Sequence, residues 1–205
     1  MSMSKSETRT EDRRRTRAAT RDALLGATKR LLAGGTSFAA LKAEHIVEEA
    51  GMSRATFYLH FRDKSELVAA LAADQVAWRE EIGAEALTDS AMRRETLHAM
   101  ITDIVARWAE NHAVLSAIIE VAEYDPAMAD TWRTAMHDVS DKAAAQFRAR
   151  WAGHSDGPRD PDTVAEIFTW MFERSCHQIL RDPTRQAELA ESMVEIIWRV
   201  LDYRA

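Results

Sequence analysis

The chain is poor in the residues that break helices, cross-link loops or span membranes. Its one cysteine, Cys176, excludes an internal disulfide framework and a zinc site built from cysteines. With only 7 Gly and 4 Pro among 205 residues, and a hydrophobic fraction of 46%, it is too apolar and too unbroken to be disordered or rich in β-turns. It has no apolar run of about 18 residues to cross a membrane, and the N-terminus MSMSKSETRTEDRRRTR lacks the apolar stretch of a signal peptide. These absences predict a soluble, cytoplasmic and mainly helical protein.

The charge is unevenly distributed along the chain. Residues 1–64 contain 13 Lys and Arg against 8 Asp and Glu, a net charge of +5, whereas residues 65–205 contain 14 against 25, a net charge of −11. A basic first third on an acidic body indicates that the front of the molecule meets a polyanion. The alternative at this stage is a solvated basic arm with no partner.

Three helices are predicted in this basic third. Apolar residues at three- and four-residue steps indicate a first helix that ends near Gly34-Gly35, and a second, short helix covers about 42–50. Ser53 is placed as the N-cap of a third helix that runs to about Phe61. Two short helices joined by a tight turn that contains Gly51 form the helix-turn-helix pattern, whose second helix enters the major groove of DNA.

The residue types of the third helix suit DNA recognition. The exposed first turn, predicted to reach the bases, consists of Ser53, Arg54, Ala55 and Thr56. Arg54 can donate two hydrogen bonds to a guanine, and Ala55 or the Thr56 methyl group can contact a thymine methyl. Contacts with backbone phosphates are expected from Tyr58, His60 and Lys64. Phe57 and Phe61, four residues apart, are expected to pack in the core; ordinary packing with solvated ends is the alternative for the others.

Residues 51–67, with Ile46 and Val47 before them, resemble the DNA-binding signature of TetR-type bacterial transcriptional repressors. The matching positions are Ala50-Gly51, Ser53, Thr56-Phe57-Tyr58, His60-Phe61, Lys64 and Glu66-Leu67. The resemblance covers about 20–67 and implies an all-α fold: a three-helix DNA-binding domain followed by a larger helical domain for effector binding and dimerisation. The expected domains are a basic flexible arm at 1–18, the helix-turn-helix domain at 19–66 and the effector domain at 67–205.

Lys42 departs from the family pattern. The family commonly has Ser or Thr at this position, which caps the second helix and contacts a phosphate. A lysine cannot cap a helix N-terminus, but it can reach a phosphate as a point charge. Lys42 is therefore included among the predicted DNA contacts.

The acidic remainder of the chain is predicted to be helical. A long helix begins at Ser65 and runs to about Gly83, leading from the small domain into the larger one. Further helices are predicted over Ser90 to Asn111, Ala113 to Tyr124, Pro126 to Trp151, Pro161 to Asp182 and Pro183 to Arg204, with a loop from Ala152 to Asp160.

All six Trp lie in this acidic part. An interior rich in aromatic residues and Met can adapt to varied apolar ligands, although such residues at helical spacing are also ordinary core. The segments 170–174 and 197–198 bear a weaker likeness to the actinobacterial subgroup that includes the ethionamide-activation repressor, whose pocket is narrow and apolar. By that likeness, the candidate effector-binding residues are Trp108, Thr169, Phe172 and Trp198.

The last two predicted helices carry apolar residues on more than one face, over 164–180 and 189–201. Such helices need burial beyond their own domain, which predicts a twofold homodimer and a palindromic operator; a monomer core is the alternative. An enzyme is disfavoured because the chain has no glycine-rich phosphate loop, no Gly-x-Ser-x-Gly and no paired His on one helical turn. A binding protein for apolar ligands that never contacts DNA is the other alternative. No metal or cofactor is predicted; the effector, the operator sequence and the sign of regulation stay open.

Overall fold

In the computed structural model, which describes residues 5–73, 93–152 and 159–201, every regular element is a helix. The predicted all-α class is thereby confirmed. The chain divides into two compact units, Met1–Leu71 and Ala72–Ala205. None of the described helices is long and apolar enough to cross a membrane.

The first unit contains α1 (Lys5–Ala33), α2 (Ala43–Glu49), α3 (Arg54–His60) and the start of α4, described over 64–73. α1 stops where the two glycines predict a stop. Gly35 has a φ of 92°, its N–H donates to the Leu32 carbonyl, and the Thr36 N–H donates to the Leu31 carbonyl. This pair of bonds satisfies carbonyls that the last turn of a helix leaves open.

The N-terminal segment differs from the predicted flexible arm, because α1 begins at Lys5. Residues 5–25 contain no Gly or Pro and include six Arg, which is a good helix former. Glu11 and Arg15, one turn apart, form an ion pair of 3.8 Å. The basic arginines Arg14, Arg15 and Arg17 are therefore exposed on a helix.

α1, α2 and α3 meet around a core of aromatic and aliphatic side chains. Phe57 and Phe61 are 0% and 1% exposed, with ring centroids 5.9 Å apart, which confirms the predicted core role of both. The other large side chains of the unit that are fully buried are Leu24, Phe38, Leu41, Ile46, Leu67, Val68 and Leu71. Fully burying one such side chain stabilises the fold by about 1.5–3 kcal/mol.

The second unit contains α5 (Arg94–Glu110), α6 (His112–Ala122), α7 (Pro126–Trp151), α8 (Pro161–Ile179) and α9 (Gln186–Leu201). α7 packs along α8, and α5 packs along α9. The predicted starts at Pro126 and Pro161 are confirmed, whereas Pro183–Arg185 forms a short 3₁₀ turn before α9. The predicted course of α4 to Gly83 and most of the loop at 152–160 lie outside the described residues.

Candidate nucleic-acid interface

The turn between α2 and α3 holds the two helices in a fixed relation. Gly51 has a φ of 65°, a region that side chains rarely adopt, so a residue without Cβ suits this position. The Met52 N–H donates to the Val47 carbonyl over 2.7 Å and the Gly51 N–H to that of Glu48 over 3.1 Å. The turn thus ends α2 and redirects the chain within three residues.

The first turn of α3 is ordered by its cap. Ser53 has extended backbone angles, and its Oγ accepts a hydrogen bond from the Thr56 N–H over 3.1 Å, which confirms the predicted N-cap. The two hydroxyl oxygens, of Ser53 and Thr56, lie 2.9 Å apart. Ser53 and Ala55 are exposed and Thr56 is half-buried. The cap orders the first turn of α3, and the contact of these residues with bases stays a prediction.

Arg54 begins α3 with an exposed side chain that already has partners. Its Nη1 lies 2.8 Å from Oε1 of Glu44 on α2. A hydrogen bond with the Tyr58 hydroxyl, and then the Glu44 charge, raise the pKa of Arg54. Tyr58 is 51% exposed, and Leu59 beside it is 74% exposed. The exposed face of α3 is therefore partly aromatic and apolar.

The two predicted phosphate-binding lysines are placed very differently. Lys42 is exposed at the N-cap position of α2 and makes no side-chain capping bond, as its chemistry predicts. Lys64 departs from the prediction, because its Nζ donates to the carbonyls of Phe38, Ala39 and Leu41 over 2.9, 3.3 and 3.2 Å. The same ammonium lies 4.4 Å from the centre of the Phe38 ring. The three N–H donors of the ammonium thus have three acceptors, and Lys64 holds the segment 38–41 that precedes α2.

His60, at the end of α3, is half-buried. Burial first, and then the charges of Arg17 and Arg21, lower the pKa of His60. Arg21 lies over the Phe61 ring, 5.3 Å from its centre, so α1 brings basic side chains to this end of α3.

The predicted effector-binding residues lie on three helices of the second unit. Trp108 on α5 is 3% exposed, and Thr169 on α8 is 8% exposed. The Thr169 hydroxyl donates to the Ala165 carbonyl one turn earlier, over 2.9 Å. Phe172 on α8 and Trp198 on α9 are half-buried. α5 contacts both α8 and α9, so the helices that carry the four residues are neighbours, and a shared pocket stays a prediction.

Sequence reasoning missed a buried polar stripe on α8. Glu173 and His177 are 3% and 8% exposed, one and two turns after Thr169. The His177 ring stacks on that of His112, with centroids 5.9 Å apart, and its Nδ1 lies 3.4 Å from the Ser116 Oγ. Burial first, and then nearby His112, lower the pKa of His177. The four-residue spacing of these polar side chains, within a helix that is otherwise largely apolar, could have indicated the stripe from the sequence. Through His177 the stripe contacts α6.

Large apolar side chains occupy the opposite side of α8. The buried face is formed mainly by small or polar residues: Ala165, Thr169, Glu173 and Cys176. Ile167 is 59% exposed, and Phe168 and Met171 are only half-buried. On α9, Ile196 is 45% exposed. Both helices that are predicted to form the dimer therefore keep accessible apolar side chains in this chain.

One family model matches the helix-turn-helix region of the chain. Residues 24–71 match the family model described as bacterial regulatory proteins, tetR family. This segment runs from the second half of α1 through α2 and α3 into α4. No curated protein matches the chain.

Solved structures share the fold over most of the chain at low sequence identity. A putative TetR-family transcriptional regulator from Rhodococcus sp. is 19% identical, with a TM-score of 0.72, over 90% of this chain and 100% of that one. The regulator FadR from Bacillus subtilis, solved with stearoyl-CoA, is 13% identical, with a TM-score of 0.70, over 87% and 97%. A putative TetR-family regulator from Mesorhizobium loti is 18% identical, with a TM-score of 0.64, over 90% and 97%.

All three are described as transcriptional regulators, those from Rhodococcus sp. and Mesorhizobium loti as putative ones. Residues 24–71, which contain the helix-turn-helix geometry, therefore match the tetR family model, and the chain shares its fold with solved structures described as transcriptional regulators.

Proposed function

We propose that this protein is a cytoplasmic transcriptional repressor that binds a palindromic operator as a homodimer and is released by a small, mainly apolar effector. One observation carries the proposal: a capped, exposed first turn of α3 stands on a platform of buried aromatic side chains. Ser53 caps that turn and Phe57 anchors it at 0% exposure. A recognition helix needs this combination, because its first turn must reach base edges in a fixed orientation.

The contacts with DNA divide by type. Arg54, Ala55 and Thr56 read bases, since they lie on the accessible or half-accessible side of α3. Lys42 and Tyr58 contact phosphates, because both are exposed and neither is needed in the core. The exposed arginines of α1 add positive charge.

The homodimer forms through α8 and α9. Its support is the pair of accessible isoleucines, Ile167 and Ile196, on helices that also bury a face in their own unit. Apolar surface of this kind is stabilised by a second copy with the same surface. A twofold dimer requires two recognition helices about 34 Å apart, which match successive major grooves.

The effector binds among Trp108, Thr169, Phe172 and Trp198. The weaker likeness to the ethionamide-repressor subgroup suggests these positions, and FadR, which shares the fold, is solved with stearoyl-CoA, a ligand with a long apolar chain. A ligand that lowers DNA affinity tenfold must itself bind the DNA-held form tenfold more weakly, about 1.4 kcal/mol. The effector thus acts by favouring one of two arrangements of the dimer.

A mobility shift over a series of salt concentrations tests the DNA-binding function. The probe is duplex DNA from upstream of the gene that encodes this chain, with an unrelated duplex of equal length as control. Several neutralised phosphates per dimer should make the affinity fall on the order of 10³-fold between about 50 and 200 mM salt. Binding that does not respond to salt, or no binding at all, would favour a ligand-binding protein without a DNA-binding role.

A further inference from the structure

A carboxylate on α2 holds the arginine that begins α3. Glu44 lies in the first turn of α2, and its Oε1 is 2.8 Å from Nη1 of Arg54. The side chains of Arg54 and Glu44 are 59% and 49% exposed, so the pair lies on the accessible surface of the two helices.

Neither stability nor general DNA affinity accounts for this carboxylate. An ion pair this exposed contributes little to the free energy of unfolding. A negative charge beside a surface that meets phosphates weakens binding to any DNA sequence. Glu44 also places a negative charge in the first turn of α2, which stabilises that helix, but this effect requires no partner on α3. The contact with Arg54 has its own effect, which is on the position of the guanidinium.

A fixed guanidinium plane matters for reading a base. Arginine recognises guanine through two parallel N–H donors, and a long, freely rotating side chain loses rotamer freedom when it adopts that geometry. The contact with Glu44 is made through Nη1, and the other N–H donors of the five on Arg54 are enough for a bidentate contact. We propose that Glu44 is a specificity-determining residue, which orients Arg54 toward a guanine and reduces general affinity for DNA. This inference rests on the proposed DNA-binding function.

The same helix supplies a matched control. Glu49, near the end of α2, pairs with Arg30 of α1 through an Oε1–Nε distance of 2.6 Å, with side chains 37% and 60% exposed. Replacing Glu44 or Glu49 by alanine changes the net charge by the same amount and removes one exposed ion pair in each case. Only Glu44 contacts a residue of α3 in these pairs.

The test is selection of bound sequences from a random DNA pool by the full-length protein and its variants. Glu44→Ala should reduce the preference at one base position on the order of fivefold, and Arg54→Ala should affect that same position. Adding Glu44→Ala to Arg54→Ala should cause no further loss, because the two residues act as one unit. Glu44→Gln should retain most of the preference, since its amide oxygen still accepts from Arg54, and Glu49→Ala should retain all of it.

The inference is overturned if Glu44→Ala selects the same sequences, with the same preferences, as the unmodified protein and Glu49→Ala. It is also overturned if Glu44→Gln loses as much preference as Glu44→Ala, because charge rather than orientation would then matter. In both cases DNA binding itself stands. If the unmodified protein selects no sequence, this inference and the proposed function fail together.

Discussion

Individual side chains near α3 are held by partners far away in the sequence. Lys64 donates to carbonyls 23 to 26 residues earlier, and Arg54 pairs with a carboxylate on a different helix. Ser53, Phe57 and Phe61 could be assigned from sequence, because a cap and a helical face depend on spacings of three or four residues. The role of Lys64 could not, because nothing in its neighbourhood along the chain shows that the 38–41 carbonyls lie beside it.

Lys64 and Lys42 should respond differently to the same substitution. Lys64→Met should lower the free energy of unfolding of the first unit by about 1–3 kcal/mol, because the carbonyls of Phe38 and Leu41, which are partly buried, lose a charged donor. Lys42→Met should leave stability nearly unchanged and make the salt dependence of DNA binding shallower, by about 0.9 in slope for each subunit. Denaturant unfolding and salt-dependent mobility shifts measure the two effects.

The opposite pattern would restore the original prediction for Lys64. If Lys64→Met left stability intact and reduced the salt slope, its ammonium would leave the carbonyls of Phe38, Ala39 and Leu41 to contact phosphate. The assignment of Lys64 as a structural residue of the 38–41 segment would then be wrong.

At the scale of elements, aspartate followed by proline starts three helical segments of the second unit. Asp125 accepts from the N–H groups of Ala127 and Met128, and Asp160 and Asp182 cap in the same manner. The prolines alone predict these starts, because proline at the first helical position loses no hydrogen bond.

The helix at the N-terminus was not predicted from the sequence. Residues 5–18 have no apolar periodicity, and helix propensity alone is a weak indicator of structure.

The caps predict a dependence of stability on acid. Hydrogen bonds from Thr163 lower the pKa of Asp160, and those from Thr184 lower that of Asp182. A carboxyl whose pKa is lower in the folded state stabilises the protein above its ordinary pKa, near 4, and this contribution is lost as the pH falls through the lowered value. Asp160→Asn and Asp182→Asn together should therefore reduce the fall in melting temperature between about pH 5 and pH 2.

Asp160→Ala supplies the control for that measurement. It removes the cap at every pH and should therefore lower the melting temperature at pH 7 as well as in acid, whereas asparagine still caps. A double asparagine variant that loses stability in acid as steeply as the unmodified protein would show that these caps do not contribute through their charge.

At the scale of the whole molecule, the central claim is a twofold dimer that reads DNA with α3. The apolar pattern of α8 and α9 could be predicted from the sequence. Whether the same chain or a second copy buries these side chains could not, because burial within a chain and between chains gives the same periodicity. The accessibility of Ile167 and Ile196 favours coverage by a second copy.

Ile167→Glu should weaken dimerisation by about 3 kcal/mol or more, since two equivalent side chains lose roughly 1.5 kcal/mol each. Tyr124→Glu, at a site 60% exposed beyond the end of α6, is the matched control and should leave the dimer intact.

The most direct measurement is the arrangement of half-sites in DNA selected from a random pool by the full-length protein. The dimer predicts two inverted half-sites whose centres lie one helical turn apart, about 10–10.5 base pairs, or a multiple of that distance. Tyr124→Glu should select the same inverted pair, and Ile167→Glu only a single half-site with the same base preferences. Direct repeats, isolated half-sites or no enriched sequence with the unmodified protein would contradict a twofold dimer that reads DNA through α3.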